Sequence, residues 1–224
     1  MKTIAVIQAR MGSSRLPNKA MLHLNGHPII EWVVSRVQRA KLLDGVIVAI
    51  PNTKQDDVLA WFLKSKGFAV YRGDELDVLG RMVNAARTLD ATHFVRICAD
   101  NPFVCWNAID DLVDYFNQYS PDYAYNHIPR DNLYPDGIGA EMTAMKTLEK
   151  INELATLASQ REHCFNYIWE NETQFNIKTF NPLLPSLRKP NLKLDIDTME
   201  DYLYISKIEA GISEQSKDII KNKC

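Results

Sequence analysis

The chain of 224 residues is defined first by what it has little of. It has four cysteines, Cys98, Cys105, Cys164 and Cys224, and no two of them form a C-x-x-C pair. That spacing excludes the usual zinc and thioredoxin motifs, and a reduced, cytoplasmic setting is the expectation. There is no run of about 18 apolar residues, so no membrane-spanning helix is expected. An opening lysine and a short apolar run, broken at Arg10, do not read as a secretory leader. Neither charge is in excess: 26 Lys and Arg stand against 28 Asp and Glu. Without an overall basic field, neither nucleic acid nor an anionic membrane is an expected partner. Glycine is sparse, nine in all, and two familiar phosphate loops are missing. Gly12 has no partner glycines for G-x-G-x-x-G. Lys19 lacks the preceding glycine and the following Ser or Thr of a P-loop.

What is present is a globular core and a strand-helix alternation. Hydrophobic residues make up 46% of the chain, enough for one large domain. Ile4-Ala5-Val6-Ile7, Val46 to Ile50, Phe68 to Tyr71 and His93 to Cys98 read as buried strands. Between them lie helical patterns: Ile29 to about Ala40, a face of Val58, Leu59, Phe62 and Leu63 ended by Gly67, and Leu76 to Ala86. Trp106 to Gln118 and Ala144 to about Ala155 continue the pattern. Asn25-Gly26 reads as a turn, and Pro28 suits the first turn of a helix. Thr53 with Asp56, and Ser159 with Glu162, resemble capping boxes. Gln174 to Phe180 alternates like a strand, and Leu192 to Ile196 reads as a strand leading into a final helix capped by Thr198 against Asp201. The tyrosines between Tyr115 and Tyr134 read mainly as packing. Such alternation predicts an α/β fold with a parallel sheet covered on both faces.

The first strand runs into Gln8-Ala9-Arg10-Met11-Gly12-Ser13-Ser14-Arg15-Leu16-Pro17-Asn18-Lys19. A Gly-Ser loop lets backbone N–H groups converge on one point, arginine adds a planar donor fork, and lysine a point charge. In open α/β sheets ligands sit beyond the carboxyl ends of the strands, so this loop is a candidate polyphosphate site. Two carboxylates end later strands in a similar way. Asp100 lies in Ala99-Asp100-Asn101-Pro102, and Asp197 in Leu194-Asp195-Ile196-Asp197-Thr198. Thr198 and Asp201 are explained as a cap, and Asp197 is not.

These motifs together resemble the cytidylyltransferases, especially the spore-coat polysaccharide biosynthesis (SpsF-like) branch. Ile7 to Lys19 is similar to the family's opening signature, with Asn18 in place of its usual glycine. Asn tolerates the left-handed backbone that the turn requires. Arg72-Gly73-x-x-x-Asp77-Val78-Leu79-x-Arg81 resembles a segment lining the nucleotide site. Ala99-Asp100-Asn101-Pro102 is similar to G-D-x-P, Ile196-Asp197-Thr198-Met199-Glu200-Asp201 to V-D-T-P-E-D, and Tyr134-Pro135-Asp136-Gly137 through Glu141 to Y-P-x-G-x-x-x-E. Arg161-Glu162-His163 resembles the family's R-E-H triplet, but neither Glu162 nor His163 is assigned to catalysis.

The resemblance implies a three-layer α/β/α fold with a mostly parallel mixed sheet, of the nucleotide-diphospho-sugar transferase type. It implies one domain over 1–224, with about 119–143 serving the acceptor and a homodimer interface. Arg10, Lys19 and Asp100 become the catalytic candidates. Ala9, Arg10, Gly12, Ser13, Ser14, Arg15, Lys19, Arg72 and Gly73 become nucleotide-binding candidates, with Asp77 and Arg81 holding their loop. Tyr134, Asp136, Gly137 and Glu141 fall to the acceptor. Asp100 and Asp197 become ligands for Mg2+, with Asp195 facing elsewhere. The implied reaction is transfer of CMP from CTP to a small acidic acceptor with release of pyrophosphate. Two other readings remain: a nucleotide-binding module without turnover, and a GT-A glycosyltransferase using Asp195-Ile196-Asp197 as D-x-D.

Overall fold

The computed structural model describes residues 1–223, so Cys224 lies outside the described residues. The chain begins with β1 (Thr3–Gln8), a hairpin of β2 (His23–Leu24) and β3 (His27–Pro28), then α1 (Ile29–Val37) and β4 (Gly45–Pro51). It continues through α2 (Asp57–Ser65), β5 (Val70–Gly73), α3 (Val78–Arg87), β6 (His93–Cys98) and α4 (Trp106–Tyr119). β7 (Tyr123–Tyr125), β8 (Glu141–Ala144), α5 (Met145–Leu154), α6 (Ala158–Glu162) and α7 (Asn166–Glu170) follow. β9 (Ile177–Thr179), α8 (Met199–Ser206) and α9 (Ser216–Lys223) close it.

Seven strands form one sheet in the order β5-β4-β1-β6-β8-β7-β9. β5, β4, β1 and β6 are parallel, β8 runs antiparallel to β6 and β7, and β9 is parallel to β7. Strand residues alternate between two cores, as a side-chain period of two requires. Ala5, Ile7, Val48 and Ile50 face one core with residues of α1, α2 and α4. Ile4, Val6, Ile47 and Ala49 face the other, with α3 and α5. The expected α/β/α layering is therefore present, and apolar burial on both faces is what holds it.

Several boundaries differ from the sequence expectation. The third strand starts at Val70 instead of Phe68, because Gly67 at φ +75° closes α2 and the Phe68 N–H returns to the Leu63 carbonyl. Pro28 precedes the first helical residue. The Asn25-Gly26 turn is left-handed at both residues, φ 48° and 87°, as a tight hairpin needs. Leu192 to Ile196 is extended but makes only an isolated bridge, Asp136 to Lys193. Neither expected capping box forms as drawn. Thr53 bonds to Asp56 side chain to side chain, and the Gln160 amide oxygen, not Ser159 or Glu162, accepts from the N–H groups of Thr156 and Leu157. The Thr198–Asp201 cap does form, with Thr198 Oγ1 accepting from the Asp201 N–H at 3.2 Å and the Asp201 carboxylate accepting from the Thr198 N–H at 2.8 Å. The clustered tyrosines pack: Tyr123 and Tyr125 stack at 5.7 Å and both meet Trp169 edge-on.

Candidate active site

β1 delivers the chain to the carboxyl edge of the sheet, where the Ala9–Lys19 loop is pinned at both ends. Buried Met11 and Leu16 anchor it to the core. The Met11 N–H donates to Asp56 Oδ1 at 2.8 Å, and the Asn18 N–H returns to the Met11 carbonyl at 3.1 Å. Asn18 sits at φ 60°, the left-handed conformation its side chain tolerates. Asp56 is fully buried, and its other oxygen takes the Thr53 hydroxyl. Its carboxylate thus fixes the loop instead of capping α2.

The two separated aspartates meet over this loop. Lys19 Nζ lies 2.9 Å from Asp100 Oδ2 and 3.6 Å from Asp197 Oδ1, and donates to the Ile196 carbonyl at 2.6 Å. Arg15 Nη2 reaches Asp197 Oδ1 at 2.8 Å. The Ile196 N–H donates to the Asp100 carbonyl, so backbone as well as side chains join the end of β6 to the segment before α8. Asp195, two residues before Asp197, makes no bond to Lys19 or Arg15. It lies 3.6 Å from Lys193, and burial together with Asp136 raises its carboxyl to about 6.

A cavity of about 180 Å³ opens here, lined by Gln8 to Arg10, Ser13 to Arg15, Lys19, Arg96, Cys98 to Asp100 and Asp197. Arg10 makes no ion pair or hydrogen bond among the described residues, so its guanidinium is available to a ligand. Burial pushes the Cys98 thiol up to about 12, which leaves it neutral and unsuited to nucleophilic work. Among the described residues no three His, Cys, Asp or Glu side chains form a complete metal cluster.

Other candidates stand outside this cavity. Arg72 is held by Asp57 at 2.6 Å and by the Thr53 carbonyl at 2.7 Å, and Gly73 packs against Arg81 and Tyr71. Asp77 caps α3 through the Gly80 N–H and pairs with Arg161 at 2.6 Å, while Arg81 donates to the carbonyls of Asp74 and Glu75. Both residues hold the β5–α3 loop, though not by pairing with each other. That loop and α6 form a second hollow, which Arg10 also lines.

Of the four acceptor candidates, Tyr134 is buried with its ring edge on Phe180. Gly137, at φ +88°, leaves no room for a side chain: an added Cβ would stand 2.4 Å from the Asp195 nitrogen. It thereby presses the 131–139 segment onto the strand-like stretch carrying Asp195 and Asp197. Asp136 lies beside Asp195, and burial raises its carboxyl. Glu141 is buried on β8 opposite Arg96, to which it pairs; it also takes the Tyr123 hydroxyl at 2.5 Å. Burial alone would raise the Glu141 carboxyl, but the neighbouring His127 and Arg96, with the Tyr123 hydroxyl, hold it below the ordinary range. His127 lies 3.7 Å away, and burial lowers its imidazole pKa.

The sequence reading gives Gln8 and Arg96 no role in the site and takes Asp56 only as part of a helix cap. A lone arginine inside the apolar run His93 to Cys98 was the one available signal, since a charge in a buried strand needs a partner.

Residues 4–223 match the sequence profile of the family described as cytidylyltransferase. The chain belongs to the cytidylyltransferase family. It is 37% identical over 207 residues to an uncharacterised protein of Methanocaldococcus jannaschii, covering 92% of this chain and 82% of that one. To the spore coat polysaccharide biosynthesis protein SpsF of Bacillus subtilis it is 31% identical over 215 residues, 94% of this chain and 87% of that one. To the 3-deoxy-manno-octulosonate cytidylyltransferase of Bdellovibrio bacteriovorus it is 36% identical over 118 residues, 52% and 46% of the two. A solved cytidylyltransferase from Leptospira borgpetersenii superposes with a TM-score of 0.88 at 29% identity, covering 99% of this chain and 93% of that one. This cytidylyltransferase is therefore an enzyme of nucleotidyl transfer, as the resemblance implied. No helix among its described residues is long and apolar enough to cross a membrane.

Proposed function

We propose that the enzyme transfers CMP from CTP to a small acidic acceptor, a sugar acid or similar molecule, using Mg2+ held by Asp100 and Asp197. An acceptor oxygen bonds to the α-phosphorus, the bond to the β-phosphate oxygen breaks, and pyrophosphate leaves with that electron pair. The convergence of Lys19, Asp100 and Asp197 within 3.6 Å is the observation that carries this reading.

The donor set fits a hard cation. The Lys19 ammonium already stands between the two carboxylates as a stand-in for positive charge, and Mg2+ takes one or two carboxylates plus substrate phosphates. When bound, the ion supplies Lewis-acid polarisation of phosphate oxygens. The chain's own residues do the rest. Arg10, Arg15 and Lys19 neutralise the phosphate chain and the charge that grows on the departing pyrophosphate. Backbone of Ala9 and Gly12 to Ser14 shapes the cradle. Arg72 and Gly73 act on the nucleotide through the Thr53–Asp57 turn they brace. A carboxylate or phosphate acceptor oxygen needs no general base; a hydroxyl acceptor must release its proton to solvent, and the metal, when bound, would lower that hydroxyl's pKa, since the neutral Cys98 offers no base.

The acceptor side is assigned to residues 119–143, and of the four candidates Tyr134, Asp136, Gly137 and Glu141 only Asp136 is not buried. Gly137 supports it by seating this segment against Asp195, and Tyr134 and Glu141 by fixing it from within. A homodimer in the cytoplasm belongs to the same proposal, and sedimentation of the purified chain measures the first part. A pyrophosphate-release screen of four nucleotides against a panel of sugar acids, 3-deoxy-manno-octulosonate included, tests the reaction. CTP with an acidic acceptor is the expected pair. Release with another nucleotide, or with neutral acceptors only, would refute it.

A further inference from the structure

A row of polar side chains crosses the sheet on the α3 and α5 side and ends in the cavity. Tyr123 on β7 donates to Glu141 on β8, and Glu141 pairs with Arg96 on β6. Arg96 then sends Nε and Nη2 to the Gln8 amide oxygen on β1, at 3.1 and 3.0 Å. Val6 and Gln8 share a face of β1, and Arg96 and Cys98 the same face of β6, so the row follows from strand alternation. Each member but the last is spent on its neighbour.

The last member has its orientation decided. An amide can turn either end toward a partner, but Arg96 only donates, so the Gln8 oxygen must face it. Gln8 Nε2 makes no hydrogen bond among the described residues, and Gln8 lines the cavity beside Arg10, Arg15 and Lys19. A buried carboxylate thus locks an arginine, and the arginine locks an amide with its donors turned to the ligand. Such preorganised donors are what a phosphate oxygen selects.

We propose that Gln8 is a substrate-contacting residue, donating from Nε2 to an oxygen of the nucleotide's phosphate chain, and that Arg96, held by Glu141, positions it. The proposal rests on the CTP reading above. Phosphate is favoured over the acceptor because Gln8 directly precedes the Ala9–Lys19 loop and lines the cavity beside its three cations, Arg10, Arg15 and Lys19.

Calorimetric titration of Mg2+–CTP into the full chain, without acceptor, tests this. In Gln8→Glu the carboxylate still accepts both Arg96 donors, so the melting temperature holds, but the N–H donors are gone and affinity for CTP falls about tenfold or more. Gln8→Met, neutral, falls several-fold. Arg96→Lys keeps the charge beside Glu141 but loses the fork, and also weakens CTP. If Arg96 acts through Gln8, the double variant Gln8→Glu/Arg96→Lys binds no worse than Gln8→Glu alone. Wild-type affinity in both Gln8 variants, or losses that simply add in the double variant, would overturn the proposal. A folded wild type that binds no CTP would instead overturn the reaction proposed above.

Discussion

Lys19→Met separates the lysine's two duties. In the nucleotide-free chain its ammonium lies 2.9 Å from Asp100 and 3.6 Å from Asp197, with side chains 14%, 28% and 25% exposed. At an effective dielectric near 20, each such contact is worth on the order of 5 kcal/mol before desolvation. Solvent access and the cost of ordering reduce the net to about 2 kcal/mol, between the values for surface and buried pairs. A divalent ion entering between the aspartates must displace this ammonium. Removing it should therefore tighten nucleotide-free Mn2+ binding by about 30-fold, since 1.4 kcal/mol is tenfold. The same variant should lose affinity for CTP, because the phosphate chain loses a cation. It should also melt lower than wild type without metal and recover when Mn2+ is added, because only the metal then neutralises the two carboxylates. Electron paramagnetic resonance of free Mn2+ reads the first effect directly. If Lys19→Met binds Mn2+ no more tightly than wild type, the lysine does not stand where the cation goes.

Other consequences follow from single contacts. Asp100→Asn should abolish metal-dependent turnover while leaving the melting temperature within a few degrees; full activity in a pyrophosphate-release assay would contradict its role as a ligand. Gly137→Ala places a Cβ 2.4 Å from the Asp195 nitrogen at φ +88°, so it should cost about 2 kcal/mol or more and lower the melting temperature by about 5 °C. Turnover should drop further, because Asp197 lies two residues along. Asp111 on α4 has its carboxyl raised to about 6 by burial and by Asp110 and Asp114. Its folded value exceeds the unfolded one, so its ionisation destabilises the fold as pH rises from about 4 through 6. Asp111→Asn should therefore stabilise by about 1 kcal/mol at pH 7, allowing for solvent screening of a half-buried group, and by nothing below pH 4. Denaturant titrations at the two pH values measure this.

The sequence by itself determined the alternating elements, because apolar periodicity records which faces are buried. It also determined the make-up of the loop proposed to take the phosphates, because one continuous stretch carries the glycine, serines and cations together. The left-handed Asn18 is expected because it stands where the resembled family has glycine and Asn tolerates that backbone. Tertiary structure decided everything that depends on distance between remote strands. Asp100 and Asp197 are 97 positions apart, and only the order of strands and the Ile196–Asp100 backbone bond bring them to one ammonium. Position alone makes Arg72 a candidate phosphate contact, and only the tertiary structure shows that the turn before α2 lies within reach of its Nη1 and Nη2. The resemblance gives Glu141 to the acceptor, and only the tertiary structure shows it buried opposite Arg96 on a neighbouring strand as that arginine's counter-charge. Apart from the lone arginine in an apolar strand, nothing local announces the Gln8–Arg96–Glu141 row, since its members come from three strands whose adjacency is fixed by packing and register, not by any stretch of chain.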